Sequence, residues 1–211
     1  MKLVIIDYGA GNLKSVENSF RKIIEDENLD VELIISDKKQ DLIIADKIFL
    51  PGVGAYGDCM NSLNEKDLVQ ELKNQVLVEK KKFLGICVGM QVLSDKGFED
   101  GEYEGLGFIA GEVRKIDNIS ETLKVPHMGW NVVKFNHEEI DILSGVKKEE
   151  HFYFANSYKF DVEDEKDVLG FCDYGQKIIG AVRKDNVVGL QFHPEKSSEA
   201  GLKILSNFLK W

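Results

Sequence analysis

The segment from Phe83 to Gln91 holds the residues whose types and spacing best suit covalent chemistry. An apolar run, Phe83 to Ile86, leads into Cys87, and glycines bracket this cysteine at positions 85 and 89. A Gly-x-Cys-x-Gly turn between a strand and a helix is a nucleophile elbow with sulfur in place of oxygen. The glycines relieve crowding in the strained turn, and the positive end of a helix beginning near Gly89 favours a thiolate. We therefore predict that Cys87 is a nucleophile.

A base for this thiolate is predicted at His193, one of four histidines in the chain. A buried strand predicted over Val187 to Phe192 ends at His193, which places this residue at the same sheet edge as Cys87. Pro194 favours an extended conformation at His193, which would direct the His193 and Glu195 side chains to one side. The carboxylate would fix the ring tautomer and stabilise an imidazolium. We favour a Cys-His-Glu triad over a histidine that bonds only to backbone.

Acyl transfer also requires hydrogen-bond donors for an oxyanion. One candidate is the backbone N–H of Val88, directly after the cysteine. A second must come from another loop, and Pro51 to Gly54 follows the predicted strand Ile48 to Leu50. Glycines allow peptide orientations that other residues resist. An ordinary glycine-rich turn explains the segment equally well.

The sequence lacks the motifs of common cofactor and metal sites. The turn from Tyr8 has Lys14 where a dinucleotide-binding fingerprint needs its third glycine. We find no phosphate-binding loop and no H-x-x-E-H type cluster, so we expect neither a cofactor nor a metal. Cys59 and Cys172 lack the short spacing of redox or zinc motifs and are interpreted as core residues. This cysteine usage fits a reducing cytoplasm.

The elements that must position these residues alternate between strands and helices in the first half of the chain. Short apolar, β-branched runs predict strands at Leu3 to Ile6, Val31 to Ile35, Ile48 to Leu50 and Phe83 to Ile86. Apolar residues at helical spacing predict a helix through Leu13, Val16, Phe20 and Ile23, with Asn12 as its N-cap, and another through Leu68, Leu72 and Val76. This alternation predicts a parallel sheet.

The second half adds strands of another kind. Partly antiparallel strands are predicted at Val132 to Phe135 and Phe152 to Phe160, then strands at Ile178 to Val182 and Val187 to Phe192, and a closing helix through Leu202, Leu205 and Leu209. We predict one domain over residues 1–211. Its class is α/β, with a three-layer, open, mostly parallel sheet flanked by helices and additional antiparallel strands. Reactive groups should collect at the carboxyl ends of the strands.

Composition excludes several classes of protein. With 211 residues and 43% hydrophobic residues, the chain can form a substantial core. The formal net charge of -10 is the wrong sign for binding nucleic acid. The apolar run after Met1 is too short for a secretory signal, and no segment approaches the ~20 apolar residues of a membrane span. We expect a protein that binds neither nucleic acid nor membrane.

Two segments resemble those of class I, triad-type glutamine amidotransferases. They are the elbow Gly-Ile-Cys-Val-Gly-Met-Gln and the segment Gly-Leu-Gln-Phe-His-Pro-Glu-Lys-Ser. Four further segments are similar to segments of the glutaminase subunits of imidazole glycerol phosphate synthases. These four segments are Asp7 to Leu13, Leu50 to Gly54, Gly105 to Gly107 and Val125 to Asn131. The resemblance runs from about residue 3 to 208. It implies hydrolysis of glutamine to glutamate and ammonia. It also implies a heterodimer in which a (β/α)8-barrel cyclase subunit takes up the ammonia in histidine biosynthesis.

The resemblance also implies roles for individual residues. It places the nucleophile on Cys87, the general base and acid on His193 and the orienting carboxylate on Glu195. The implied oxyanion donors are a peptide N–H from Gly52 and Val53, which rotates on partner docking, and Val88. The implied substrate-binding residues are Gln91, Glu99, Ser157 and Tyr158. Asn12, Trp130 and Lys196 match positions near the cyclase, although Trp130 also fits a core aromatic.

One position departs from the family pattern and keeps an alternative open. Asn156 stands where the family usually has histidine before Ser157 and Tyr158. A paralogous glutaminase that supplies ammonia for surface-sugar amidination therefore remains the second interpretation. A Cys peptidase or deglycase fits the Gly-Met-Gln and tyrosine-containing segments less well. A partner-binding module without catalysis fits poorly with an intact Cys, His and Glu set.

Overall fold

The computed structural model describes residues 1–9, 12–117, 123–136 and 141–211. A nine-stranded sheet dominates the fold, in the order β2-β1-β3-β4-β13-β12-β11-β8-β9. Its strands are β1 Lys2–Ile6, β2 Glu32–Ser36, β3 Lys47–Leu50, β4 Lys82–Ile86, β8 His127–Phe135, β9 Glu149–Asn156, β11 Val168–Asp173, β12 Lys177–Lys184 and β13 Val187–Leu190. The α/β class and the open sheet are confirmed, and the strands predicted in the first half agree with the structure to within about a residue.

The prediction of a mostly parallel sheet needs a correction. Strands β2, β1, β3, β4 and β13 pair in parallel, whereas β13, β12, β11, β8 and β9 pair antiparallel. The described sheet is therefore evenly mixed. Part of the difference arises because turns of three and two residues join β11 to β12 and β12 to β13, and such short connections favour antiparallel neighbours.

Helices cover both faces of this sheet. They are α1 Leu13–Asp26, α2 Lys39–Ile44, α3 Tyr56–Glu65, α4 Val69–Lys73 with a π-helical turn Asn74–Val78, α5 Val88–Gln91 and α6 Ser198–Lys210. Helices α1 and α6 pack on the face that carries Leu3 and Ile5, and α2, α3 and α4 pack on the face that carries Val4 and Ile6. This alternation of buried residues along β1 produces the predicted three layers.

Helix α1 shows how the sequence pattern produces this packing. Val16, Phe20 and Ile23 are buried at helical spacing, and the Phe20 ring meets the edge of Phe49 in β3, with centroids 5.1 Å apart. Burying each such side chain contributes about 1.5 to 3 kcal/mol. Asn12 holds the predicted N-cap position, but its side chain makes no capping bond to the described residues of α1. Its Nδ2 instead donates to Glu195 Oε1 at 3.3 Å.

A second, four-stranded sheet lies beside the first. Its strands are β5 Lys96–Gly97, β6 Tyr103–Glu104, β7 Gly111–Lys115 and β10 Tyr158–Val162. The single strand predicted over Phe152 to Phe160 is therefore wrong. Its first part, β9, pairs with β8 through Asn156 opposite His127, and its second part, β10, pairs with β7 from Tyr158 onward. The chain changes sheets at Ser157, a step that periodicity alone does not reveal.

The carboxyl end of the chain packs at the edge of the sheet where β3 and β4 begin, opposite to the edge where these strands end. Trp211 follows α6, and its ring lies 4.0 Å from the Lys82 ammonium at the start of β4. The buried ammonium of Lys47 donates to the carbonyl oxygens of Phe208 and Leu209 at the end of α6. Among the described residues, no helix has both the length and the apolar composition needed to cross a membrane.

Candidate active site

Cys87 occupies a strained position between β4 and α5. Its backbone has φ of 50° and ψ of -113°, a conformation uncommon for a residue with a side chain. The Cys87 N–H donates to the carbonyl of Leu190 at 2.7 Å, which fixes the turn against the end of β13. Strain of this kind is found where structure holds a reactive group in place. The predicted elbow is therefore present in the structure.

Three glycines allow the backbones around the elbow to touch. A Cβ on Gly85 would overlap the carbonyl oxygen of Gly89, and a Cβ on Gly89 would overlap the carbonyl oxygen of Leu50. A Cβ on Gly52 would overlap the Gly89 nitrogen. The elbow thus packs directly on the segment that follows β3. The crowding predicted at Gly85 and Gly89 is confirmed.

The helix after the elbow is short. Helix α5 begins at Val88, within one residue of the predicted start, and it spans only four residues. A macrodipole sums over aligned peptides, so one turn supplies only a weak field. Hydrogen bonds from side chains must therefore hold the Cys87 sulfur to a greater extent than the sequence suggested.

His193 and Glu195 complete a buried triad with Cys87. The His193 Nδ1 lies 2.9 Å from Glu195 Oε1, and these side chains are only 2% and 0% exposed. Burial alone would lower the pKa of His193, but its hydrogen bonds with Cys87 and Glu195 outweigh burial and raise the pKa to about 9. The Asn12 amide donates to the same Glu195 oxygen at 3.3 Å. The arrangement suits proton transfer between sulfur and ring.

The route by which Glu195 reaches the ring differs from the prediction. His193 itself is extended, but a 3-10 turn, Pro194–Lys196, follows it directly. Ser197 stabilises this turn, because its hydroxyl donates to the His193 carbonyl at 2.6 Å and accepts from the Tyr153 N–H at 3.0 Å. The contact between His193 and Glu195 was therefore predicted correctly, but the backbone that produces it is a tight turn and not the extended segment that was predicted.

Gln191 is a site residue that sequence reasoning missed. It is fully buried, and its Nε2 lies 3.8 Å from the Cys87 sulfur while its Oε1 accepts from Gln91 Nε2 at 3.0 Å. Gln91 Nε2 also donates to the Tyr158 carbonyl at 3.2 Å. The available signal was the position of Gln191 two residues before His193, at the end of a buried strand that otherwise carries apolar side chains.

A cavity of about 220 Å³ opens over the Cys87 side chain. It is smaller than the roughly 300 to 1,000 Å³ of drug-sized ligand sites and therefore suits a small molecule. Its lining consists of Val53, Gly54, Cys87, Val88, Gln91, Glu99, Ala155, Asn156, Ser157, Tyr158, His193 and Lys196. All four predicted substrate-binding residues are among these, together with two of the three predicted oxyanion residues. Gly52 lies just beneath, packed against the elbow.

Glu99 brings a carboxylate to this cavity from the small sheet. It accepts the Tyr56 N–H at 2.7 Å, and burial raises the pKa of its carboxyl group. Asn156 donates to the Tyr158 carbonyl at 2.9 Å, the same oxygen that accepts from Gln91. In this chain Asn156 therefore supports the turn between the two sheets, which is the structural role it has in place of the family's usual histidine.

The three residues predicted near the cyclase lie in different surroundings. Trp130 is 52% exposed on β8, and its neighbour on the same side, Met128, is 64% exposed. Lys196 lines the cavity and its ammonium lies 6.0 Å from the Tyr153 ring, which in turn meets the Trp130 ring edge-on. These four residues, Met128, Trp130, Tyr153 and Lys196, form what we call the rim patch. Asn12, by contrast, is buried against Glu195.

The remaining candidates have structural surroundings. Burial raises the pKa of Cys59 and of Cys172 to about 12, consistent with their interpretation as core residues. His127 is stacked between Phe154 and Tyr174, and burial lowers its pKa to about 4. His137, and Ala10 and Gly11 of the Asp7 to Leu13 segment, lie outside the described residues. Within those residues, no group of three His, Cys, Asp or Glu side chains could hold a metal ion.

Comparisons with known proteins agree on one family. The family model "Glutamine amidotransferase class-I" matches residues 4–211. "Imidazole glycerol phosphate synthase subunit HisH" of Rhodospirillum rubrum is 40% identical over 212 residues, which cover 100% of this chain and 99% of that protein. The protein of the same name from Brucella abortus (strain 2308) is 42% identical over 215 residues, with coverage of 100% and 99%. In Pelagibacter ubique the same subunit is 41% identical over 210 residues, with coverage of 99% and 99%.

Solved structures share the fold at lower identity. A structure described as a glutamine amidotransferase superposes with a TM-score of 0.71 at 18% identity, covering 98% of this chain and 97% of that one. The glutaminase domain of Trypanosoma brucei CTPS with bound acivicin has a TM-score of 0.68 at 14% identity, covering 100% and 94%. At these identities the likeness concerns the fold alone.

Proposed function

The chain belongs to the class I glutamine amidotransferases and, among them, to the HisH subunits of imidazole glycerol phosphate synthase, and from this premise we propose how its residues hydrolyse glutamine. It is the glutaminase subunit of that synthase in histidine biosynthesis. Our proposal assigns the reaction to Cys87, His193 and Glu195. The observation that carries it is the 2.9 Å contact between the His193 ring and the Glu195 carboxylate, with Cys87 and His193 together lining a small cavity.

The reaction proceeds through a thioester. The Cys87 sulfur attacks the carboxamide carbon of glutamine, and His193 carries the thiol proton and then gives it to the departing ammonia. Glu195 stabilises the imidazolium that forms between these steps. Water, deprotonated by His193, then attacks the thioester carbon, and the proton returns to sulfur as glutamate leaves. No cofactor or metal is needed for this sequence.

Hydrogen-bond directions at Gln91 indicate which end of glutamine it binds. Within the described part of the chain, both N–H groups of Gln91 Nε2 have acceptors, the Tyr158 carbonyl and Gln191 Oε1. This leaves Oε1 to face the cavity as an acceptor. Together with the Glu99 carboxylate, it suits the α-ammonium of the substrate. The Ser157 and Tyr158 backbone then lies at the α-carboxylate.

The oxyanion site is completed by backbone donors. The Val88 N–H at the start of α5 provides one, and the peptide between Gly52 and Val53 provides the other after rotation. Gly52 has no room for a side chain, and Gly54 has φ of 101°, so the segment is built around glycine backbone conformations. We propose that docking of the partner selects the rotated peptide, which leaves the isolated chain nearly inactive.

As a HisH subunit, the chain works in a complex, and we propose that its partner is a (β/α)8-barrel cyclase subunit bound as a heterodimer. The rim patch supports this, because exposed Trp130 and Met128 lie beside the cavity from which ammonia must leave. The patch is continuous with Lys196 in the cavity lining. A biosynthetic role of this kind also fits a cytoplasmic location, and both sheets line one cavity, which supports a single domain over residues 1–211.

The acceptor of ammonia distinguishes this proposal from the surface-sugar alternative. The relatives compared above carry the imidazole glycerol phosphate synthase name, and this favours the histidine pathway. The test is release of ammonia and glutamate from glutamine by the purified chain, alone and with the cyclase subunit, with and without the cyclase nucleotide. We expect release only in the mixture, and its loss by at least about 10³-fold with Cys87→Ala.

A control variant makes this test decisive. Cys172→Ala removes a buried thiol on β11, away from the cavity, and should leave turnover within a few fold. A mixture without any increase over the lone, folded chain would contradict the cyclase partnership. Turnover that persists in Cys87→Ala would contradict the assigned nucleophile.

A further inference from the structure

Gln191 occupies a position that the reaction sequence above leaves without a role. Its side chain is completely buried, an unusual environment for a primary amide unless its polar atoms are satisfied. Its backbone N–H donates to the Gly180 carbonyl at 2.9 Å, so the strand pairing with β12 continues to this residue. The amide therefore projects from a rigid base into the space between Cys87 and Gln91.

The hydrogen bonds fix the direction of this amide. Gln191 Oε1 accepts from Gln91 Nε2 at 3.0 Å, and Gln191 Nε2 lies 3.8 Å from the Cys87 sulfur. In the flipped orientation two amide nitrogens would face each other and the amide oxygen would face the sulfur. The contact between the two nitrogens would be repulsive, and so would the contact between the amide oxygen and a thiolate sulfur. The N–H of Gln191 therefore points at the nucleophile, and a hydrogen bond to the charged form favours that form.

We propose that Gln191 is a positioning residue that holds the Cys87 thiolate through its N–H and the substrate-facing amide of Gln91 through its carbonyl. One side chain thereby fixes the position of the Cys87 nucleophile relative to the Gln91 oxygen that accepts from the α-ammonium. The short helix α5 supplies little field of its own, so this donor adds to the stabilisation of the thiolate. The inference rests on the proposed role of Cys87, and it assigns Gln191 no contact with substrate.

The test uses Gln191→Met, which keeps the volume and removes both polar atoms, with Gln70→Met on the exposed surface of α4 as the matched control. Iodoacetamide alkylation of Cys87 in the full chain is followed by mass spectrometry between pH 5 and pH 10. We expect the Gln191→Met rate at neutral pH to fall about 3- to 10-fold, with the profile midpoint moved to higher pH. In the complex with its partner, KM for glutamine should rise several-fold and kcat should fall. Gln70→Met should change neither.

A second variant guards against misfolding of the first. Gln191→Glu keeps the shape of the side chain but places a titratable charge beside the sulfur. Its alkylation rate relative to the unmodified chain should decline with rising pH as the carboxylate ionises, because the carboxylate repels the thiolate. A ratio independent of pH, or a Gln191→Met profile with an unmoved midpoint, would overturn the inference and leave Gln191 a packing residue. A complex without glutaminase activity would instead refute the proposed function, because the alkylation profile does not depend on turnover.

Discussion

His193 is held between two partners of different kinds, the sulfur of Cys87 and the carboxylate of Glu195. The local sequence was sufficient to predict all three residues, since the elbow and the His-Pro-Glu segment are each short and specific. Gln191 was not predictable in the same way. Its role depends on a contact with Cys87 across 104 residues of chain, and only the pairing of β13 with β4 brings the two together.

The pKa of His193 provides a prediction at this scale. The value of about 9 in the folded chain lies above the ~6.5 of an unfolded chain. The folded state thus binds more protons between these values, so His193 stabilises the fold below about pH 6.5 and this contribution is lost as pH rises through 9. In Cys87→Ala one of the two hydrogen-bond partners is gone, and the pKa of His193 should fall. NMR titration of the ring measures it, and an unchanged pKa would contradict the contact.

His127 should have the opposite effect on stability. Burial lowers its pKa to about 4, below the ~6.5 of the unfolded chain, so the unfolded state binds more protons between these values. Its contribution is therefore present above about pH 6.5 and lost as pH falls toward 4, by up to about 3 kcal/mol. His127→Phe keeps a ring between Phe154 and Tyr174 and should flatten this acid loss in urea unfolding. The exposed His151→Phe is the control, and an equally steep loss in His127→Phe would refute the assignment.

Elements, rather than single residues, determine how the cavity is built. Short apolar runs predicted the parallel strands and their order along the chain, because each strand there carries a strong apolar pattern. The pattern did not predict that the chain leaves the large sheet at Ser157 and enters the small one at Tyr158. This change of sheet places both residues at the cavity, and it depends on the pairing of β10 with residues 43 or more positions earlier, which no local pattern identifies.

The contact between the elbow and the segment after β3 yields a prediction at the scale of elements. Gly89→Ala places a methyl group on the Leu50 carbonyl, which forces the two backbones apart. We expect a loss of about 1 to 3 kcal/mol in the free energy of unfolding and a large loss of glutaminase activity in the complex. Gly180→Ala is the control, since a Cβ there would meet only side-chain atoms, those of Val133 from 3.3 Å and of Phe154 at 3.7 Å. Full activity in Gly89→Ala would show that the elbow tolerates displacement.

At the scale of the whole molecule, a chain with a net charge of -10 presents an apolar and cationic rim patch beside its cavity. Tryptophan, tyrosine and methionine are enriched where partners bind, and tryptophan is often the residue that contributes most. The sequence suggested Trp130 through the resemblance, but it could not decide between a core and a surface position. The exposure of its ring decides for the surface.

Trp130→Ala should therefore weaken binding of the partner without destabilising the chain. Truncation of a central aromatic at an interface costs about 2 kcal/mol or more, which corresponds to roughly 30-fold in Kd. Isothermal titration with the cyclase subunit measures this loss, and thermal unfolding of the lone chain should be unchanged. Val78→Ala, on the π-helical turn and 68% exposed, is the control for loss of an exposed apolar side chain. Equal affinities of the two variants would place the interface elsewhere.

The exposure of Trp130 has an optical consequence as well. The chain contains 2 tryptophans, and the other, Trp211, lies beside Lys82 at the far edge of the sheet. Because the two indoles occupy opposite ends of the molecule, covering the rim patch changes the surroundings of only one of them. The intrinsic fluorescence of Trp130 should then shift to shorter wavelength when a partner docks, while that of Trp211 stays constant. The protein thus carries its own unlabelled reporter of assembly, and Trp211→Phe would isolate its signal.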